Sequence, residues 1–301
     1  MDLASLSSAN QLALAQQPDP GCDLLAAIGQ FPYRGFIEAK IIGTAPFVMF
    51  SNHDDIVAQH YLFKGPDSFE SLSLELWARL AARSKLALDV GAFTGIFSLA
   101  AVHASPTIKA LGFEPSLNTF ARFVTNVLAN GMGGRVGTVK AALGPEDGQL
   151  TLKHPAGIHC LGSEETLVAG RHASVWFEEQ VRVMAGDELA KHYANNARDF
   201  VIEADVREID LIKIDVEGFE LQVLRGLKST LQRNHPTMII ECLSLAQFDE
   251  VNGFLASFGY AWRFIDDGER GLHIDRERFA RTPRNVLFIY DRQLLSELED
   301  R

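Results

Sequence analysis

The sequence predicts an α/β fold built on a mostly parallel sheet, and three observations carry that prediction. From residue 86 onward, short apolar runs alternate with stretches of helical period, the pattern of right-handed βαβ units. Two segments about 125 residues apart, LALDVGAFTG at 86–95 and LIKIDVEGFE at 211–220, each read as apolar strand, carboxylate, glycine, then helix. Turns of that kind gather backbone N–H groups and acids at the carboxyl edge of a parallel sheet, where open α/β folds bind ligands.

The elements follow in order. Residues 1–30 read as a tail or short helix closed by the QPDPG turn at 17–21. Two short strands fit 36–50, interrupted by Gly43 and Pro46. Helices fit 54–63 and 69–82, the latter with Leu72, Leu76, Trp77 and Leu80 on one face. Strand 86–90 leads into helix 96–103, apolar nearly all round and therefore buried. After strand 107–113 comes a helix with Leu117, Phe120, Val124, Val127 and Leu128 on one stripe and Ser116 as N-cap. The third strand is 136–143, closed by Gly144 and Pro145.

The middle is less regular. Residues 149–153 extend a strand or open a hairpin, 154–171 form a long loop, 187–193 a helix and 195–205 a connection. Regularity returns with strand 210–214, then a helix with Leu221, Leu224, Leu227 and Leu231 on one face. Strand 237–241, helix 245–258 ended by Gly259, and closing strands 261–265 and 285–290 complete the chain. The expected organisation is an N-terminal extension over 1–65 and a main domain over 66–301, with 145–205 as an insertion or lid.

Composition narrows the function classes. The 301 residues are 47% hydrophobic and carry a formal net charge of −11, which argues against a nucleic-acid backbone as partner. Cys22, Cys160 and Cys242 form neither a disulfide framework nor a zinc pattern. No stretch reaches the roughly 18–20 apolar residues of a membrane span, and the N-terminus lacks the positive start of a secretory signal. A cytoplasmic protein is expected, and self-association is left open.

The 89–95 turn holds Gly91 and Gly95 but not the third glycine of a dinucleotide fingerprint. Asp89 stands where a pyrophosphate would sit, which disfavours a phosphate cofactor and suits a cationic amine. S-Adenosylmethionine carries an ammonium, a sulfonium and no phosphate. Glu114 ends the next strand 25 residues on (114 minus 89), the place of an acid that accepts ribose hydroxyls. Asp215 and Glu217, two apart at a strand end, present paired carboxylates for a general base, an ammonium or a hard metal, unless they only favour a helix N-terminus. Glu241 ends the following strand and is a third acid at the same edge; with Asp215 and Glu217 it could hold Mg2+.

Together DVGAFTG, GFEP at 112–115, IKIDVEGFE and VLRG at 223–226 resemble the FkbM family of methyltransferases, over roughly residues 65–245. Phe69-Glu70 and Ala142-Leu143-Gly144 add to the resemblance, while Phe93 and Thr94 depart from the Asn-Ile common in the family. The resemblance implies a Rossmann-like class I fold, a seven-stranded sheet with its last strand antiparallel, and helices on both faces. It further implies bound S-adenosylmethionine and methyl transfer to a hydroxyl of a sugar, glycan or natural product. On that basis Glu70, Asp89, Gly91, Thr94, Gly95, Glu114, Ala142 and Asp215 are the expected cofactor residues, and Glu217 is the expected base beside Asp215. His53, His60, His154, His159 and His172 are rival bases; Phe36, Phe47, Phe50, Tyr61, Phe63, Trp176 and Phe177 are expected around the acceptor. A nicotinamide-dependent dehydrogenase and a non-catalytic relative of the fold are the alternatives.

Overall fold

A computed structural model of the chain describes residues 3–155, 161, 175–195, 202–281 and 284–299. The expected loop at 154–171 and connection at 195–205 fall mostly outside the described residues, as do Cys160, His159, His172 and the Trp176 side chain.

In chain order the strands are β1 (Arg34–Ala39), β2 (Phe47–Asn52), β3 (Leu86–Val90), β4 (Lys109–Phe113), β5 (Val136–Val139), β6 (Ala142–Gly144) and β7 (Gly148–Pro155). They continue as β8 (Val175–Ala185), β9 (Leu211–Ile214), β10 (Thr237–Glu241), β11 (Ala261–Asp266), β12 (Gly271–His273) and β13 (Asn285–Ile289). The main sheet has eight strands in the order β12-β11-β13-β10-β9-β3-β4-β5. β5, β4, β3, β9 and β10 run parallel, and β13 is antiparallel to both its neighbours, β10 and β11. This is the seven-stranded arrangement that the resemblance implies, with β12 added antiparallel at one edge.

The strands read as unbroken apolar runs because both faces of the sheet are covered. Alternate residues feed opposite cores: Ala87, Ile239 and Leu287 pack with Trp77, Leu99 and Phe123. Leu88, Ile240 and Phe288 pack with Leu224, Phe248 and Leu255 on the other side. The β1–β2 hairpin and Tyr33 belong to the first of these cores, so the N-terminal residues share the main domain's interior.

Four sequence expectations are corrected. The strand expected at 136–143 breaks between β5 and β6, and β6 joins a separate three-stranded sheet, order β6-β8-β7. β8 itself, β12 and the helices Arg276–Arg281 and Arg292–Glu299 had no counterpart in the sequence reading. The Leu117–Ala129 helix buries Thr119, Phe123, Asn126 and Val127, leaving Leu117 and Leu128 exposed at 54% and 65%. Its face is turned because Asn126 and Asn130 bond the β2 backbone, accepting from Phe50 N at 2.8 Å and Val48 N at 2.9 Å. Ser116 stands at the N-cap without a side-chain cap bond.

The helix expected through Leu231 is two helices, Glu220–Gly226 and Lys228–Asn234, meeting at Leu227. At Gly226 a Cβ would lie 1.9 Å from the Gly144 carbonyl, so the first helix can dock on β6 only through glycine. That contact accounts for the VLRG segment in packing terms.

Candidate active site

A cavity of about 600 Å³ opens at the carboxyl edge of β3, β4, β9 and β10. Its floor is the turn after β3. Gly91 has φ +80°, and a Cβ there would fall 1.8 Å from the Asp215 carbonyl. The Gly91 and Ala92 N–H groups both donate to Phe113 O, at 2.9 and 3.0 Å, which ties the turn to β4. Phe93 adopts φ +51° and turns its N–H onto Glu114 Oε2 at 2.9 Å, while Ser116 N donates to Oε1 at 2.9 Å. Glu114 is thereby fixed in the cavity wall.

Asp89 is placed differently from the sequence expectation. It is 1% exposed and does not line the cavity; its Oδ2 accepts from Ser98 N at 2.8 Å and Ser98 Oγ at 2.7 Å. Ser98 is in the first turn of the Ile96–Ala104 helix, whose leading N–H groups need partners, so the carboxylate serves the helix start. Burial pushes its carboxyl up to about 6 against those bonds. Thr94 and Gly95 also lie beneath the floor: the Thr94 carbonyl accepts from Asn126 Nδ2 at 2.8 Å, and Gly95, φ +95°, makes room for the Phe123 ring.

Glu70, Gly91, Glu114, Ala142, Asp215, Glu217 and Glu241 do share the cavity wall. At their centre is a group the sequence reading passed over, Lys213, 1% exposed. Its Nζ donates to Asp215 Oδ2 at 3.0 Å and Asn285 Oδ1 at 3.2 Å and lies 4.9 Å from the Phe97 ring centroid. Asn285 passes the connection on, donating to Glu70 Oε2 at 2.7 Å. Glu70 is free to face this cluster because Asp267 caps the Ser71–Ala81 helix in its place, accepting from Leu72 N and Ser73 N at 2.7 and 2.9 Å. Glu70 itself stands at the N-cap position with φ +40° and no cap bond.

The charges are unequal in cause and direction. Burial raises Glu241 well above the usual carboxyl range, and Asp215 adds to it. Burial also raises Asp215, but Lys213, a hydrogen bond with Glu241 and Arg284 bring it below its ordinary value. Of the two adjoining carboxyls, Asp215 is thus held toward its ionised form and Glu241 is pushed toward its protonated one. Burial carries Glu70 from 4.5 to about 7, with Lys213 opposing.

A carboxyl raised on folding stabilises while protonated. Its contribution is full below about 4.5 and is lost as the pH climbs through about 7. The thermal midpoint of the cofactor-free protein is therefore expected to fall across that interval, and Glu70→Gln to flatten the upper part of the fall. A midpoint profile identical in the two proteins would refute this account of Glu70.

Glu217 lines the cavity at φ +54°, next to Gly218 at φ +102°. Glu220, fully buried, secures that turn by accepting from Val216 N and Gly218 N at 3.2 and 3.1 Å. Among the described residues, the acids whose oxygens approach within 4.8 Å of one another are Glu70, Asp215 and Glu241, not the trio with Glu217 that the sequence suggested. The Lys213 ammonium already serves this group as its cation.

His60 lines the cavity and His53 does not. Of the aromatic residues expected around the acceptor, Phe47 and Phe63 are core, Phe36 and Phe50 pack on each other at 5.2 Å, and Phe177 stacks on His154 at 3.8 Å. None of these, nor Tyr61, forms the cavity wall; Phe69, Phe93, Phe97 and Phe219 do. Arg284 and Asp267 reach the wall from the far end of the chain, where no local motif marks them.

Residues 89–261 match the family model of the methyltransferase FkbM domain. Methyltransferase 1 of Beauveria bassiana is 27% identical over 184 residues, 58% of this chain and 71% of that protein. The hexuronic acid methyltransferase AglP of Haloferax volcanii is 26% identical over 144 residues, 48% of this chain and 50% of that protein. The FkbM methyltransferase structure from Methylobacillus flagellatus KT aligns at a TM-score of 0.43 and 16% identity, over 68% of this chain and 43% of its own. The strand order, the antiparallel β13 and the glycine turn are those of a Rossmann-like class I methyltransferase. With the family model spanning more than half of its length, from Asp89 through the whole IKIDVEGFE segment, the chain belongs to the FkbM methyltransferase family.

Proposed function

We propose that the protein transfers the methyl group of S-adenosylmethionine to a hydroxyl oxygen of a sugar, glycan or natural-product acceptor, in the cytoplasm. One observation carries the reading: Glu114, the close-approach turn at Gly91, and the Glu70–Asp215 pair line a single cavity. That set fits the cofactor's chemistry, with acids for ribose hydroxyls and for an ammonium, and a floor that a Cβ would obstruct. When bound, the cofactor supplies an electrophilic methyl on a sulfonium. Glu114 would accept the ribose hydroxyls, Ala142 would border the base, and Asp215 with Glu70 would hold the ammonium. Glu217, kept in a conformation that costs about 1–3 kcal/mol for a non-glycine residue, would set its charge near the sulfonium. Asp89, Thr94 and Gly95 act indirectly, by holding the floor.

A nicotinamide cofactor is the weaker reading, because the cations of the wall are already taken. Lys213 pairs with Asp215, and Arg284 with Glu241 at 3.1 Å, leaving acids where a pyrophosphate would lie. We take residues 145–205, which contribute Leu152 to the wall, as the acceptor-side insertion. The sugar class draws support from the hexuronic acid methyltransferase among the relatives. No helix among the described residues is long and apolar enough to cross a membrane.

Thermal melting distinguishes the readings. Saturating S-adenosylmethionine at about 100 times its Kd should stabilise the protein by about 2.7 kcal/mol, a shift of several degrees. NAD should give none. A shift with NAD and none with S-adenosylmethionine or S-adenosylhomocysteine would end the methyl-transfer proposal.

A further inference from the structure

We propose that His60 is the general base of the transfer, its Nε2 taking the proton of the acceptor hydroxyl. The assignment rests on the methyl-transfer reading above and replaces Glu217 in that role. Among the described residues His60 is the one imidazole in the cavity wall. It comes from the Ile56–Phe63 helix, whereas the carboxylates Glu70, Asp215, Glu217 and Glu241 lie along the strand edge and the start of the Ser71–Ala81 helix.

Its ring is set in one tautomer. Nδ1 lies 3.1 Å from the Ser68 carbonyl, which can only accept, so Nδ1 carries the hydrogen and Nε2 keeps the lone pair. Phe69 meets the ring edge-on at 5.5 Å and fixes its plane. Burial lowers its pKa from 6.5, and Lys64, at the end of the same helix, lowers it further against the Ser68 carbonyl. The imidazole is therefore neutral near pH 7 and ready to accept.

Four of the other acids of the wall have settled duties. Asp215 pairs with Lys213, Glu241 with Arg284, Glu70 takes the Asn285 amide, and Glu114 takes two backbone N–H groups. In the step, the acceptor O–H breaks and its proton passes to Nε2 as the new O–CH3 bond forms. The S–CH3 bond breaks with its electron pair remaining on sulfur, leaving the neutral thioether. Lys64 then disfavours the imidazolium and promotes loss of the proton to water.

The test compares full-length wild type with His60→Gln and His60→Ala. Cofactor affinity is read by titration calorimetry, and transfer by tritium from methyl-labelled S-adenosylmethionine to methyl glucoside, methyl glucuronoside and octanol. The variants should bind cofactor within about twofold of wild type and melt normally, with KM little changed and kcat lower by about 100- to 10,000-fold. The wild-type pH profile should rise through an inflection below 6.5 that both variants lack. Nitrogen-15 spectra of the histidines should show the Nδ1–H tautomer at His60, assigned by its absence in the variants.

Wild-type binding and transfer with full kcat in both variants would overturn the assignment while leaving the methyl-transfer reading intact. Wild type that binds no S-adenosylmethionine would overturn both. If none of the three acceptors is methylated, the spectrum decides: a hydrogen on Nε2 refutes the proposal and a bare Nε2 supports it.

Discussion

Replacing Lys213 by methionine is expected to cost the fold about 3–5 kcal/mol and to abolish S-adenosylmethionine binding. The side chain is 1% exposed, and its ammonium is the counter-charge for Asp215, Glu70 and Glu241 together. Methionine keeps the volume and loses the charge, so the acids are left buried without compensation, the costly way to break a buried ion pair. Protonation of the acids limits the damage, which fixes the sign of the pH dependence. With Lys213 present the Asp215 carboxyl is held low. Without it Asp215 is raised on folding, so its contribution is retained at low pH and lost as the pH rises. Urea denaturation should therefore find the deficit small near pH 5 and largest near pH 8. The double variant Lys213→Met with Glu241→Gln should recover part of it. A deficit under about 1 kcal/mol at pH 8 would show that the ammonium does not hold the cluster. Arginine is not a conservative replacement, since its rigid fork cannot occupy the point position between Asp215 and Asn285.

Much of the sheet could be read because each strand is buried on both faces, which leaves a continuous apolar run in the sequence. Lys213 carries an unread signal of the same kind: one charge inside the buried LIKI strand needs a partner, and the partner is Asp215, two residues on. The carboxylates at strand ends were legible because strand ends and ligand sites coincide in this topology. Their duties were not. Asp89 and Glu114 look alike in sequence, yet one reaches under the turn to Ser98 while the other stays in the wall, a choice made by tertiary packing. The buried face of the Leu117–Ala129 helix was misjudged because it counts two asparagines as contact residues, where amide-to-strand bonds replace apolar contact. Asn285, Asp267 and Arg284 enter the site from residues 43 to 215 positions away from their partners, which no local pattern records. His60 was one of five histidines until its Ser68 contact and its place in the wall separated it from the rest.

Gly91→Ala should be the most damaging change of a single methyl group in the site. The residue sits at φ +80°, where an alanine costs about 1–2 kcal/mol through conformation alone. Its Cβ would also fall 1.8 Å from the Asp215 carbonyl, and that obstacle is backbone. Relief requires the β3 turn to move off β9, straining the bond from Asp215 N to Val90 O at 2.9 Å. Overpacking of that kind adds about 1–3 kcal/mol, so a total loss of about 2–5 kcal/mol is expected. Any outward shift of the turn also separates the floor from Glu114 and Asp215, so S-adenosylmethionine affinity should fall at least about 100-fold. Gly131→Ala is the control, because its φ of +68° imposes the conformational cost while nothing lies within 4 Å of the added carbon. It should lose about 1–2 kcal/mol and bind cofactor normally. The difference between the two variants isolates the contact between the turn and Asp215. Equal stability losses with unchanged cofactor affinity in both would mean that this close approach is not what shapes the site.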